Sequence, residues 1–150
     1  MLATVYDRPN ALLVCLVRDD GVTAERYRDE LGSMTDAIRT QDLECASHPR
    51  GPICLVWIES EVSVPDAKTR ADLGALAKGF RSPRHCLTLV TRSSMVRGVL
   101  RAITWISPPR SGHHVLTADD LPAALRAIEE ATGEGPAVLS ALVERARRER

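Results

Sequence analysis

Residues 53–58 (ICLVWI) form an uninterrupted apolar run, and residues 11–17 (ALLVCLV) form a second one earlier in the chain. Short runs rich in Val, Ile and Leu are typical of strands that are covered on both faces of a sheet. The first run follows a loop that contains Pro and Gly, and the second ends at Asp19, Asp20 and Gly21. Both runs are therefore predicted to be buried strands.

Segments with helical periodicity alternate with these and other short strands. Strands are predicted at residues 2–6, 11–17, 53–58, 85–90 and 115–116, and helices at 23–40, 65–80, 94–106, 117–131 and 137–148. Repeated strand–helix units require parallel neighbours joined by right-handed crossovers. The sequence therefore predicts an α/β fold with a four- to five-stranded, mostly parallel sheet, four main helices and an extra C-terminal helix.

Length and charge limit the classes of function. A chain of 150 residues fits one ordinary domain, here expected at residues 1–131, with residues 132–150 as a helical extension packed on it. The 20 Lys and Arg residues balance 20 Asp and Glu residues, so no nucleic-acid partner is expected. No apolar run is long enough to cross a bilayer and residues 1–10 lack a signal peptide's apolar stretch, which favours a cytoplasmic protein without a membrane partner.

The usual signatures of catalysis are missing from the sequence. It contains no GxxxxGK[ST], GxGxxG or GxSxG motif, so we expect no cofactor and no enzymatic function. Cys15, Cys54 and Cys86 lie in predicted strands, where a thiol acts as a small apolar group. Cys45 lies outside them and is the one candidate for an accessible, reactive thiol. Cys45 and His48 have the spacing of metal ligands but no second pair, so no metal site is expected.

The helix at residues 94–106 carries the sharpest functional signal. Its predicted inward side comprises Met95, Val96, Val99, Leu100, Ile103 and Ile106. At roughly 100° per residue, Arg97, Arg101 and Trp105 fall together on the opposite side. Arg and Trp are enriched at binding hot spots, so this stripe is predicted to bind a partner protein. Two alternatives stay open: the arginines only keep an outer face solvated, or the indole tucks inward near the helix end.

A small-molecule or anion-binding domain is the alternative function. Parallel sheets bind ligands at the carboxyl ends of their strands. Arg92, Ser93 and Ser94 follow one such strand and begin a helix, where an anion meets free N–H groups. A serine that only caps the helix is the simpler explanation of Ser93 or Ser94.

One local stretch, together with the element order and chain length, resembles a known family. Residues 55–76 (LVWIESEVSVPDAKTRADLGAL) run from a buried strand through a short loop into a helix, and residues 96–109 (VRGVLRAITWISPP) look like the family's second half. The pattern is similar to the STAS domain of SpoIIAA-like anti-sigma-factor antagonists. The resemblance implies a non-enzymatic regulatory domain that binds a kinase-like or signalling protein, or a second copy of itself.

The resemblance also implies a partner site and a departure from the family. In the antagonists, the loop carries an Asp-Ser pair whose serine a partner kinase phosphorylates. Asp66 matches that aspartate, but Ala67 occupies the serine position and cannot be phosphorylated. Interaction is therefore expected to be independent of phosphorylation there. Because the loop helix and the next helix line the family's partner surface, Asp66, Ala67, Lys68 and Thr69 are expected beside the arginine–tryptophan stripe.

Overall fold

The computed structural model describes residues 1–18, 23–59, 67–106 and 108–149, apart from the side chain of Thr69. It confirms the predicted α/β class and the predicted order of elements. The strands are β1 (Leu2–Asp7), β2 (Leu12–Val17), β3 (Ile53–Ile58), β4 (His85–Thr91) and β5 (His113–Ala118). The helices are α1 (Ala24–Glu44), α2 (Ala67–Lys78), α3 (Ser94–Ile106), α4 (Leu121–Thr132) and α5 (Pro136–Arg148).

The five strands form one sheet in the order β1-β2-β3-β4-β5. Strand β1 pairs antiparallel with β2 at one edge, and β2 to β5 are parallel. Successive right-handed crossovers in one direction place α1, α2 and α3 on the same face of the sheet. Helices α4 and α5 cover the opposite face, α5 against β1 and β2 and α4 against β4 and β5. None of the described helices has the length and apolar composition that a membrane crossing needs.

The face under α4 and α5 is tightly packed. Val14, Leu55 and Val90 of the three central strands are completely buried there, against Ile128 of α4 and Val143 of α5. Helix α5 buries four residues in this cluster, namely Leu139, Leu142, Val143 and Ala146. Burial of aliphatic side chains on this scale is the main source of stability in a domain with few aromatic residues.

The face under α1, α2 and α3 is covered less completely. Met34 and Ile38 of α1 and Leu76 of α2 are buried in one cluster with residues of β2 and β3, and Phe80, two residues after α2, belongs to the same cluster. On β4, however, Leu87 and Leu89 point to this face and are only half-buried. A central strand with incompletely covered leucines leaves a cleft beneath the helices.

Helix α1 continues to Glu44, beyond the end predicted near Thr40. The predicted end was wrong because Gln41 and Asp42 are polar yet buried. The amide nitrogen of Gln41 donates to the carbonyl oxygens of Ala11 and Ile53, at 3.0 and 2.8 Å. Polar residues that bridge two chain segments interrupt an apolar periodicity without ending the helix.

The last strand is also longer than the two residues predicted for it. Strand β5 begins at His113, which is buried and has Nε2 2.7 Å from the carbonyl oxygen of Ser82. Thr117, where the next helix was predicted to begin, belongs to this strand. The cap of α4 is Asp120, whose carboxylate accepts the N–H of Ala123 at 2.8 Å.

Candidate functional site

Helix α3 begins with a serine cap and packs on the sheet through a narrow apolar side. The hydroxyl oxygen of Ser93 accepts the N–H of Val96 at 3.2 Å, which satisfies one of the free donors of the first turn. Val96 is buried, whereas Leu100 and Ile103 are half-buried towards β4 and β5. The side of the helix opposite Val96 is exposed to solvent.

The exposed side of α3 carries large apolar side chains. Trp105 is 86% exposed, Ile106 is 79% exposed and Met95 is 65% exposed. The prediction that Met95 and Ile106 face inward was wrong, because each lies on the flank of the stripe centred on Val96 and Ile103. Helix α3 continues through Ile106, so the alternative in which the indole tucks inward is also wrong.

Gly98 and Ala102 lie one helical turn apart between these apolar side chains and are both exposed. A Cβ built at Gly98 has no neighbouring atom within 4 Å. The backbone of the helix is therefore open to solvent between the larger side chains of this face. We call this region the α3 outer surface; its members are Met95, Gly98, Arg101, Ala102, Trp105 and Ile106.

The predicted stripe is brought together only in part. Arg101 is exposed and lies on the outer surface with Trp105. Arg97 is half-buried, and its Nη1 donates to the carbonyl oxygen of Thr91 at 2.6 Å. The guanidinium of Arg97 is therefore turned back to the end of β4, away from Trp105.

Of the four residues expected from the phosphorylation loop, the structure describes Ala67, Lys68 and the backbone of Thr69. Asp66 is outside the described residues. Ala67 begins α2 and is exposed, and Thr69 belongs to the same first turn. Lys68 is exposed and lines a groove between α1 and α2, so the structure does not bring it beside Arg101 and Trp105.

The alternative anion site consists of two exposed residues and one whose hydroxyl already makes a hydrogen bond. Arg92 and Ser94 are exposed at the carboxyl end of β4, whereas the Ser93 hydroxyl caps α3.

A cluster that the sequence did not reveal lies at the carboxyl ends of β2 and β3. Its carboxylate, Glu59, accepts Arg18 Nε at 2.8 Å and Arg147 Nε at 3.1 Å.

This cluster fixes the end of α5 to the sheet. Burial alone would raise the pKa of Glu59, but hydrogen bonds from Arg18 and Arg147 outweigh it and lower that pKa. The guanidinium of Arg147 also lies 4.6 Å above the centre of the Trp57 ring. Both arginines thus already have a carboxylate partner. Although they lie near the carboxyl ends of the strands, they do not offer two uncompensated positive charges to an anion.

The cysteines offer no accessible nucleophile. All four are buried. Cys45, expected to be reachable, lies at the end of α1 with its Sγ 3.1 Å from the hydroxyl of Tyr6. Burial raises the pKa of Cys86 to about 11, and a hydrogen bond with Cys15 together with burial raises that of Cys54. Within the described part of the chain, no three His, Cys, Asp or Glu residues converge as metal ligands would.

Comparisons with models of protein families, with curated proteins and with solved structures each gave no match.

Proposed function

We propose that this chain is a non-enzymatic regulatory domain, related to STAS domains, that binds an acidic protein partner through the α3 outer surface. Binding does not depend on phosphorylation at the family's serine position, because Ala67 occupies it. The observation that carries the proposal is the pair of exposed neighbours Trp105 and Ile106 at the end of α3. The order of elements and the STAS-like stretch at residues 55–76 support the regulatory class.

Trp105 is the expected anchor of the interface. A tryptophan buries roughly 150–250 Å² when it is covered, which at about 25 cal/mol per Å² corresponds to roughly 4–6 kcal/mol before the costs of association. Ile106 and Met95 flank it, and Gly98 and Ala102 let a partner segment approach the helix closely. A central apolar anchor with a charged rim is the usual anatomy of a hot spot.

The charge of α3 selects the kind of partner. The helix contains Arg97 and Arg101 and no acidic residue, and Arg92 precedes it. Two copies that paired through this helix around a two-fold axis would bring Arg101 close to its own copy, which opposes self-association. Acidic side chains on a different protein would instead complement these arginines and speed the encounter.

Matched substitutions test the surface. Trp105→Ala removes the anchor and Arg101→Glu reverses the rim charge, and both positions are exposed, so the fold should be unaffected. Val138→Ala on α5 and Arg39→Glu on α1 are exposed controls of the same types. The partner is first captured with the wild-type protein and then purified. We expect each surface variant to weaken its binding by at least about tenfold, or 1.4 kcal/mol, while both controls bind as wild type does. A partner that binds all five proteins equally would contradict the proposal.

A further inference from the structure

An elongated apolar cleft lies between the sheet and the helices α1, α2 and α3. Its volume is about 310 Å³, within the range of roughly 300–1,000 Å³ that is typical of small-molecule sites. Helix α1 contributes Leu31 and Met34, α2 contributes Leu73, and α3 contributes Leu100 and Ile103. The cleft is thus formed by the sides of three helices and does not involve the α3 outer surface.

The floor of the cleft is the incompletely covered face of the sheet. Leu87 and Leu89 of β4 belong to this floor, and both are half-buried. On the opposite face of the same strand, Cys86, Thr88 and Val90 are completely covered by α4 and its neighbours. Apolar side chains that stay partly uncovered on a central strand lack packing contacts on one side. An apolar ligand bound in the cleft would supply those contacts.

The two ends of the cleft differ in polarity. Val17 and Ile58 line it near the carboxyl ends of β2 and β3. Lys78, the last residue of α2, and Arg110, whose Nη2 donates to the carbonyl oxygen of Phe80, line it near the amino ends of β4 and β5. No acidic residue belongs to the described lining. A guest is therefore favoured when one end is anionic and the rest is apolar.

We propose that this cleft binds one anionic single-chain amphiphile of the fatty-acid class. The hydrocarbon chain lies between the β4 leucines and the apolar sides of α2 and α3, and the carboxylate lies at Lys78 and Arg110. This site is separate from the proposed partner surface, and either proposal can fail without the other.

Gly74 provides a way to fill the cleft without removing any wall. It lines the cleft from α2, and a Cβ built there would lie 3.9 Å from Ile103 Cγ2, which is ordinary contact. Gly74→Leu therefore adds apolar volume to the cleft and replaces a poor helix former with a good one. Gly32→Leu on α1 is the matched control, because Gly32 lies outside the cleft and has no atom within 4 Å of its added Cβ.

The test is calorimetric titration of decanoate into wild type and variants, with the stoichiometry taken from native mass spectrometry. We expect one decanoate per chain, and at least about tenfold weaker binding, or 1.4 kcal/mol, to Gly74→Leu with the thermal midpoint kept or raised. Gly32→Leu should bind as wild type. Lys78→Glu should weaken binding by roughly fivefold, as expected for a partly exposed ion pair, whereas Lys68→Glu at the other end of α2 should not.

Three results would overturn the inference. The first is the absence of decanoate binding to wild type. The second is binding that Gly74→Leu leaves unchanged, because the ligand would then lie elsewhere. The third is equal or tighter binding of decanol or decyltrimethylammonium, because the lysine–arginine end would then not select an anionic head.

Discussion

The imidazole of His85 stacks on the ring of Phe80, with 3.6 Å between the ring centroids and 9° between the planes. Neither nitrogen of His85 has a hydrogen-bond partner among the described residues. Burial lowers the pKa of this histidine to about 4 from an ordinary 6.5; nearby Asp42 opposes the shift and His113 adds to it. The folded protein thus holds a neutral imidazole that the unfolded chain would protonate.

This histidine should make stability depend on pH. As the pH falls below 6.5, the unfolded chain takes up a proton that the folded protein resists until about pH 4. The contribution is complete above pH 6.5 and should decrease by about 3 kcal/mol on acidification to pH 4. Urea unfolding at a series of pH values should show a smaller decrease for His85→Leu and the wild-type decrease for His114→Leu. An unchanged pH dependence in His85→Leu would contradict this assignment.

Gly51 is predicted to tolerate no side chain. Its φ is +76°, and a Cβ built there would lie 2.1 Å from the carbonyl oxygen of Arg84. Gly133 has a similar φ of +78° but no atom within 4 Å of the added Cβ. We expect Gly133→Ala to cost about 1 kcal/mol from backbone strain alone, and Gly51→Ala to cost at least about 3 kcal/mol because the clash is added. Equal losses in chemical denaturation would show that the loop before β3 yields to the clash.

The Glu59 cluster should stabilise the attachment of α5. Replacing Glu59 with Gln removes the carboxylate that Arg18 and Arg147 share, and we expect a loss of about 1–2 kcal/mol at neutral pH and low salt. Glu144→Gln removes only an exposed contact with Arg147 and should change stability by less than about 0.5 kcal/mol. Salt should reduce the difference between the two variants, which thermal unfolding at two ionic strengths would measure.

The thiols should react slowly in the native protein. All four cysteines are buried, so a thiol reagent at pH 8 should label them only as fast as the protein opens, and should label all four at once in denaturant. Rapid native labelling confined to Cys45 would contradict this prediction and would support the accessible, reactive thiol that the sequence suggested at that position. A Cys45→Ser variant is the control that identifies the labelled position.

Much of the fold followed from local patterns in the sequence. The apolar run that became β2 is buried throughout, and the run that became β3 is buried except for the half-buried Trp57 and Ile58. Helix α1 begins where the sequence predicted, with Thr23 as its cap accepting the N–H of Arg26 at 3.3 Å. The errors occurred where polar residues are buried by tertiary contacts, as for Gln41 at the end of α1 and His113 at the start of β5. Such residues resemble surface residues until their distant partners are known.

The candidate site was predicted less completely than the fold. Helical geometry correctly placed Arg101 and Trp105 on the outer side of α3, because that placement depends only on spacing along one helix. It could not reveal that Arg97 would turn to the Thr91 carbonyl, or that Lys68 would lie towards α1. The apolar cleft was also missed, since it arises from the distances between three helices and the sheet.

The proposed partner surface is tested most directly by crosslinking from its centre. A photoreactive benzoylphenylalanine would replace Trp105 in one variant and Val138 in another, in the cell that makes the protein. We expect the Trp105 variant alone to crosslink to a different, acidic protein, and the added change Arg101→Glu to reduce that product by about tenfold. Equal crosslinking from both positions, no product from position 105, or a product that joins two copies of this chain would contradict the proposed role of α3.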